Sequence, residues 1–293
     1  MKLLSYGLDH HMEPRLAFSL NGYAIDVMRA SLWMKENYKA QDYLNLPSSM
    51  SLLLQNWEQS FPLLENLVQA FHSLEYSKLS IYDRPVSLPE TDIVFFAPVP
   101  NPPSLRYFSA FSETRGFRFG NTQTLLGNNQ PVAHSSLTLQ GEMCAVMGGK
   151  DTNLEIAGYC IANNWINYQA GLNDGLSLGL ATSLGPYLVS ADELEGHKLG
   201  NSFSLDMQIR VNGKAVSESR FRNMTVGFEE MIRSAGPTHV QAGDIFCSGS
   251  PADLDNLKPR QADDQIEIEI QVLGTLTTPP SPIKTNDTFP REK

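Results

Sequence analysis

The spacing of apolar and polar positions changes along the chain, and each change predicts a different element. Residues 2–6, 15–20 and 23–27 read as short strands, and Asn21-Gly22 between the last two is a two-residue hairpin turn. From 48 to 76 the period becomes helical: Leu52, Leu53, Trp57, Leu63, Leu64, Leu67, Val68 and Phe71 recur behind Ser48 and Ser49, which can cap the start. Pro62 predicts two helices here, with Ser60 as the second N-cap. This apolar stripe faces a core. Prolines 85, 89, 98, 100, 102 and 103 then surround one apolar strand at 93–97, which reads as a hinge between a small N-terminal part and a larger C-terminal one.

Beyond residue 130 strands dominate: 137–147, 156–162, 187–190, 203–211, 244–248 and 265–272, with Val211-Asn-Gly-Lys214 as a second hairpin turn. A helix is expected over 225–235, stopped by Gly236 and Pro237. Gln265-Ile-Glu-Ile-Glu-Ile-Gln271 alternates as a half-exposed strand with Glu267 and Glu269 on its wet face. Long strands with few helices predict a closed or rolled β architecture. The expected division is 1–90, 91–283 and a loose tail at 284–293.

Composition narrows the partners more than the fold. The 293 residues are 41% hydrophobic and 18% charged, which excludes a disordered chain. A net charge of -10, with a pI near 5.1 and no block of Lys and Arg, argues against nucleic acid. No window approaches a membrane span, and the first residues turn polar too soon for a signal peptide. Cys144, Cys160 and Cys247 include no CxxC pair and sit in apolar strand contexts, as buried reduced thiols of a cytoplasmic protein do. The His10-His11 pair falls in a loop, where two adjacent imidazoles are poorly placed to share one ion.

Two strands carry the candidate chemistry. Strand alternation puts Gln140 and Glu142 side by side on one face, and the strand from 156 ends in Ala162-Asn163-Asn164-Trp165. Polar oxygens from an apolar surround are thereby delivered to one place, a pocket for a small-molecule substrate.

The order of blocks resembles the fumarylacetoacetate hydrolase family. Tyr107-Phe-Ser-Ala-Phe-Ser-Glu-Thr114 follows the proline-rich stretch; then come the strand to Val146, Ile156-Ala-Gly-Tyr-Cys-Ile-Ala-Asn-Asn164, Ala181-Thr-Ser-Leu-Gly-Pro-Tyr187, and Gly243-Asp-Ile-Phe-Cys-Ser-Gly-Ser250. The resemblance covers nearly the whole chain. It implies a mixed β-roll or barrel catalytic domain with a small N-terminal α+β domain, usually a homodimer, and hydrolysis or decarboxylation of β-dicarbonyl acids with Mg²⁺ or Ca²⁺. It also implies that the family's ionic residues are mostly replaced. Its first metal carboxylate falls on Tyr107, the following Tyr on Ser109, and its base His on Thr114, next to Glu113. The Glu-x-Glu pair reads Gln140-Gly-Glu142, and the Asp of Ala-Asn-Asp is Asn164. The family's Arg and Lys fall on Tyr168 and Leu178, while Thr182, Gly185, Pro186 and the Gly249-Ser250 turn persist.

A hard divalent cation wants charged oxygens, and each lost ion pair at 4 Å is worth roughly 4 kcal/mol at an effective dielectric of 20. No cofactor is therefore expected, with Mg²⁺ or Ca²⁺ held weakly, if at all, by Glu142, Gln140 and Asn164. Glu142 and Glu113 are the candidate catalytic residues. Tyr107, Ser109, Gln140, Asn164, Tyr168, Leu178, Thr182 and Ser250 are the candidate substrate contacts. A lone carboxylate in an apolar pocket should have a raised pKa and act as general acid or base. Three readings follow. One is metal-independent C–C cleavage, decarboxylation, cyclisation or isomerisation of a carbonyl-containing metabolite. Another is a conventional acylpyruvate-type hydrolase with a rebuilt metal site. The third is a catalytically dead binding or structural homologue.

Overall fold

The computed structural model describes residues 1–112, 116–133, 137–150, 152–167, 180–236, 239–252 and 260–281. Strands β1 (Lys2–Gly7), β2 (Arg15–Leu20) and β3 (Tyr23–Asp26) form the expected meander. Asn21 and Gly22 both take positive φ, 48° and 79°, the geometry an Asn-Gly hairpin turn needs. Helix α1 (Val27–Tyr38) follows directly; the sequence reading had no element there. Its N-cap is Asp26, whose carboxylate accepts from the Arg29 N–H at 2.8 Å.

The helical stretch does divide in two, but at Asn56 rather than at Pro62. Helix α2 (Met50–Gln55) starts on the expected Ser49 cap, and α3 (Trp57–His72) runs straight through Pro62. Asn56 ends one helix and starts the next: its N–H donates to the carbonyls of Leu52 and Leu53, and its own carbonyl accepts from Gln59 and Ser60. Pro62 loses a single helical hydrogen bond. Burial of Leu64, Leu67, Val68 and Phe71 holds the helix together across it. Ser60 is a buried helix residue and not a cap.

Further strands are β4 (Leu105–Phe108), β5 (Phe117–Phe119), β6 (Gly141–Gly148), β7 (Glu155–Trp165), β8 (Ala181–Ser190), β9 (Asp206–Val211), β10 (Lys214–Arg220), β11 (Ile245–Cys247), β12 (Ile266–Ile270) and β13 (Gly274–Thr278), besides shorter ones such as Ser87–Pro89. Helix α4 (Phe228–Ala235) starts three residues later than expected, because the Thr225 hydroxyl donates to the Ala110 carbonyl instead of joining the helix. A large sheet runs Ser87–Pro89, β3, β2, β1, β8, β7, β6, β11, β4, β5, while β10, β9, β12 and β13 form a second sheet of four. Both faces of the large sheet are buried. Cys144, Val146, Cys160, Leu184 and Cys247 face α1, α2 and α3, whereas Met143, Ala145, Ile161 and Phe246 face the four-stranded sheet and α4. That accounts for β6 being buried at all eight positions. On β12 the outward Glu267 and Glu269 are clamped by Arg210, at 2.9 and 2.7 Å. His10 and His11 lie in the exposed loop after β1. Among the described residues no helix is long and apolar enough to cross a membrane.

Candidate active site

Cross-strand register brings the polar residues together. Opposite residues in adjacent strands share a face. Cys160 of β7, Cys144 of β6, Cys247 of β11, Tyr107 of β4 and Arg118 of β5 are successive partners in one row. Two residues along β6 on the same face is Glu142, opposite Ala162. Beyond it Gln140 and Asn164 exchange backbone hydrogen bonds, and Asn164 is opposite Thr182 of β8. The apolar part of this face is core, and its polar end opens on a cavity of about 600 Å³. Tyr107, Ser109, Arg118, Gln140, Glu142 and Ser250 line it, with Phe108, Phe111 and Phe117 as apolar wall.

Glu142 is 1% exposed. Its Oε2 accepts from the Gly249 N–H at 2.9 Å, and its Oε1 accepts from Asn164 Nδ2 at 3.5 Å. The same Asn164 nitrogen donates to Gln140 Oε1 at 3.2 Å, and Asn164 Oδ1 is buried without a partner. Gly249 must be glycine: its φ is +77°, and a Cβ would sit 2.7 Å from the Phe108 carbonyl oxygen. Burial pushes the Glu142 carboxyl up to about 7 from 4.5, while the Gly249 N–H, the Arg118 charge and Asn164 pull it back down. The raised pKa expected of a lone carboxylate is thus present.

Tyr107 Oη lies 2.5 Å from Thr182 Oγ1, and burial, with smaller contributions from Cys247 and Glu142, holds its phenol well above the usual range. Tyr107 is therefore a neutral hydrogen-bonding group at physiological pH. The Arg118 guanidinium sits over its ring, 5.1 Å from the centroid. Sequence reasoning missed Arg118. Its one signal was the three-residue alternation Phe117-Arg-Phe119, too short to stand out. It puts a cation in a pocket from which the family's Arg and Lys positions had suggested that positive charge was gone. Glu113, Thr114, Tyr168 and Leu178 lie outside the described residues.

The resemblance implies a divalent ion at this site, which would need charged oxygen ligands. Among the described residues no three His, Cys, Asp or Glu side chains gather to hold a metal. Among the described residues Glu142 is the single carboxylate lining the cavity, one of its oxygens is taken by a backbone N–H, and a guanidinium lines the same cavity. These residues do not fit a hard dication, which wants several charged oxygens and no neighbouring cation.

The family profile described as Fumarylacetoacetate (FAA) hydrolase C-terminal matches residues 111–279, more than half of the chain. The chain belongs to the fumarylacetoacetate hydrolase family. Among curated proteins none matches. Solved structures of the same fold include maleylpyruvate hydrolase from Sphingobium sp. SYK-6, at 17% identity and TM-score 0.70 over 96% of this chain and 99% of that one; a second structure of that enzyme holds manganese(II) and pyruvate. The 2-hydroxyhepta-2,4-diene-1,7-dioate isomerase from Mycobacterium marinum is 16% identical, with TM-score 0.63 over 96% and 98%. A 2-keto-3-deoxy-D-arabinonate dehydratase, complexed with magnesium and 2,5-dioxopentanoate, is 18% identical, with TM-score 0.62 over 97% and 100%. The mixed, sheet-dominated α+β fold expected of the family is the fold of this fumarylacetoacetate hydrolase relative.

Proposed function

We propose that this family member is an enzyme acting on a small 2-oxo or β-dicarbonyl acid by metal-independent acid–base chemistry. The observation that carries the reading is Glu142: a buried carboxyl at the floor of the pocket, with a pKa of about 7. A general acid–base group works best when its pKa lies near the working pH. As carboxylate, Glu142 takes a proton from the carbon beside the substrate carbonyl; as carboxylic acid it returns one to the enolate. Isomerisation uses both halves of that cycle; decarboxylation, in which CO2 leaves and the enolate remains, uses only the acid; C–C hydrolysis uses the carboxylate to take a proton from the attacking water and the acid to protonate the enolate that leaves. Arg118 pairs with the substrate carboxylate, and the neutral Tyr107 phenol hydrogen-bonds its oxo group. The named neighbours act on or hold oxo and enol acids, which supports the substrate class. A homodimer without nucleic-acid or membrane partners, in the cytoplasm, completes the reading.

The test is turnover of oxaloacetate and of an acylpyruvate by the purified chain, with EDTA and with added Mg²⁺. The expected result is turnover that persists in EDTA, shows an inflection near pH 7, and is lost in Glu142→Gln. Turnover that EDTA abolishes and Mg²⁺ restores would establish the conventional metal-dependent hydrolase instead. Absence of turnover, with a ligand still bound in the pocket, would establish the binding homologue.

A further inference from the structure

Cys144 and Cys247 lie one layer behind the floor of the pocket, and neither serves the proposed chemistry. Both are free thiols, wholly buried, with sulfurs 2.6 Å apart. Their backbone positions make this more than proximity. The two residues are register partners on adjacent antiparallel strands. The Ser248 N–H donates to the Met143 carbonyl and the Met147 N–H to the Asp244 carbonyl, so the ladder bonds of β6 toward β11 leave from its odd-numbered residues. Cys144 and Cys247 are therefore a non-hydrogen-bonded pair, for which the Cα separation is about 4.5 Å, within the range of about 4.4–6.8 Å that a disulfide spans. On its other side Cys144 faces Cys160 of β7. There Gln140 and Asn164 exchange backbone bonds, so the even-numbered residues, Cys144 and Cys160 included, form the wider hydrogen-bonded pairs, about 5.5 Å between Cα atoms. Both spacings lie within a disulfide's range, and the 2.6 Å contact between the Cys144 and Cys247 sulfurs singles out Cys247.

We propose that Cys144 and Cys247 form an oxidisable dithiol site, converted by hydroperoxides to a cross-strand disulfide beneath the pocket. Full burial excludes bulky disulfides as oxidants, whereas hydrogen peroxide is close to water in size. One sulfur attacks the peroxide: an S–O bond forms, the O–O bond breaks, and water (or an alcohol) leaves with the thiol proton. The second sulfur attacks the sulfenic sulfur: the S–S bond forms, the S–O bond breaks, and water leaves. Two thiols lose two electrons in all, and the peroxide gains them. The product would tie β6 to β11 two residues from Glu142 on one strand and two residues from Gly249, its backbone donor, on the other. The site stands whether or not the proposed chemistry at Glu142 is correct.

The experiment is hydrogen peroxide treatment of the folded chain, quenching, denaturation with an alkylating reagent, and peptide mapping by mass spectrometry. The expected result is a fall from three alkylatable thiols to one, the survivor being Cys160, with a cross-linked peptide pair holding Cys144 and Cys247 that dithiothreitol releases. Cys160→Ser should form the same cross-link, and Cys247→Ser should not. A Cys144–Cys160 link, sulfinic or sulfonic acids without a cross-link, or three thiols still alkylatable would each overturn the proposal. Should Cys247→Ser fail to fold, the mapping on wild type and on Cys160→Ser decides alone.

Discussion

A carboxyl that is neutral at acid pH and charged just above neutrality, inside a protein, should make folding stability depend on pH. The Glu142 pKa is raised in the folded state, to about 7 against 4.5. Its stabilising contribution is therefore complete below about 4.5 and is lost as pH rises through about 7. The size is on the order of 3 kcal/mol. Glu142→Gln mimics the protonated form and removes the titration. The variant should match wild type at pH 4.5 and be more stable by roughly 2–3 kcal/mol at pH 8, read as denaturation midpoints across pH. Equal stability of the two at pH 8 would mean the carboxylate is well solvated when charged. Arg118 lowers the Glu142 pKa, so Arg118→Met should move the Glu142 titration above 7, visible by NMR of labelled glutamate, with no substrate needed. Much of this site was legible in the residues. Strand alternation alone aligned Gln140 with Glu142, and the apolar surround forecast the raised pKa. Arg118 and the Gly249 N–H were not legible as Glu142's neighbours, because a backbone donor and a residue from a three-residue strand carry almost no local signal.

Between elements, the strand that presents Tyr107 is held by an ion pair on its far side. Arg106, 1% exposed, donates from Nη1 to Asp244 Oδ2 at 2.8 Å and from Nη2 to the His239 carbonyl at 2.8 Å. Asp244 also accepts from the Ser104 hydroxyl and the Gln241 N–H. The pair couples β4 to the start of β11, the parallel contact that carries Tyr107 alongside Cys247. Breaking a buried pair from one side leaves an uncompensated charge and costs about 3–5 kcal/mol. Asp244→Ala should show that loss in denaturant unfolding, and Arg106→Met with Asp244→Leu should recover much of it. A loss under about 1 kcal/mol in Asp244→Ala would show that water reaches Arg106. Most element types were readable, since Asn-Gly turns, strand alternation and the helical stripe are local signals. The misplacements have physical causes. Pro62 is tolerated because α3 is held by the core, and α1 was hidden because its cap, Asp26, doubles as the last residue of a strand.

At the scale of the molecule, the first ninety residues and the rest share one sheet and one core. β1 pairs with β2 on one side and with β8 on the other, Lys2 opposite Val189 and Leu3 opposite Leu188. The core on the helix side draws Leu3, Phe18 and Ile25 from the N-terminal meander, Leu67 and Phe71 from α3, and Cys144, Leu184 and Cys247 from the strands around the site. Trp57, at the start of α3, closes against Gly148 at the end of β6, where an added Cβ would meet the indole at 2.9 Å. Separating the two parts would strip β8 of a strand partner and expose apolar surface on both sides of the break, at about 25 cal/mol per Å². Unfolding should therefore be a single transition. Trp57 reports on the helix layer and Trp165, fully buried at the end of β7, reports on the sheet. On a Trp33→Phe background, fluorescence of Trp165→Phe and of Trp57→Phe should each give a denaturant midpoint that coincides with far-UV circular dichroism of the same variant. A Trp57 transition that precedes the Trp165 transition would mean that the N-terminal part folds as an independent unit. In that case the helix layer would be separable from the site it backs. Gly148→Ala should lower the midpoint of both probes together, because the added Cβ would meet the Trp57 side chain and push the helix layer from the sheet.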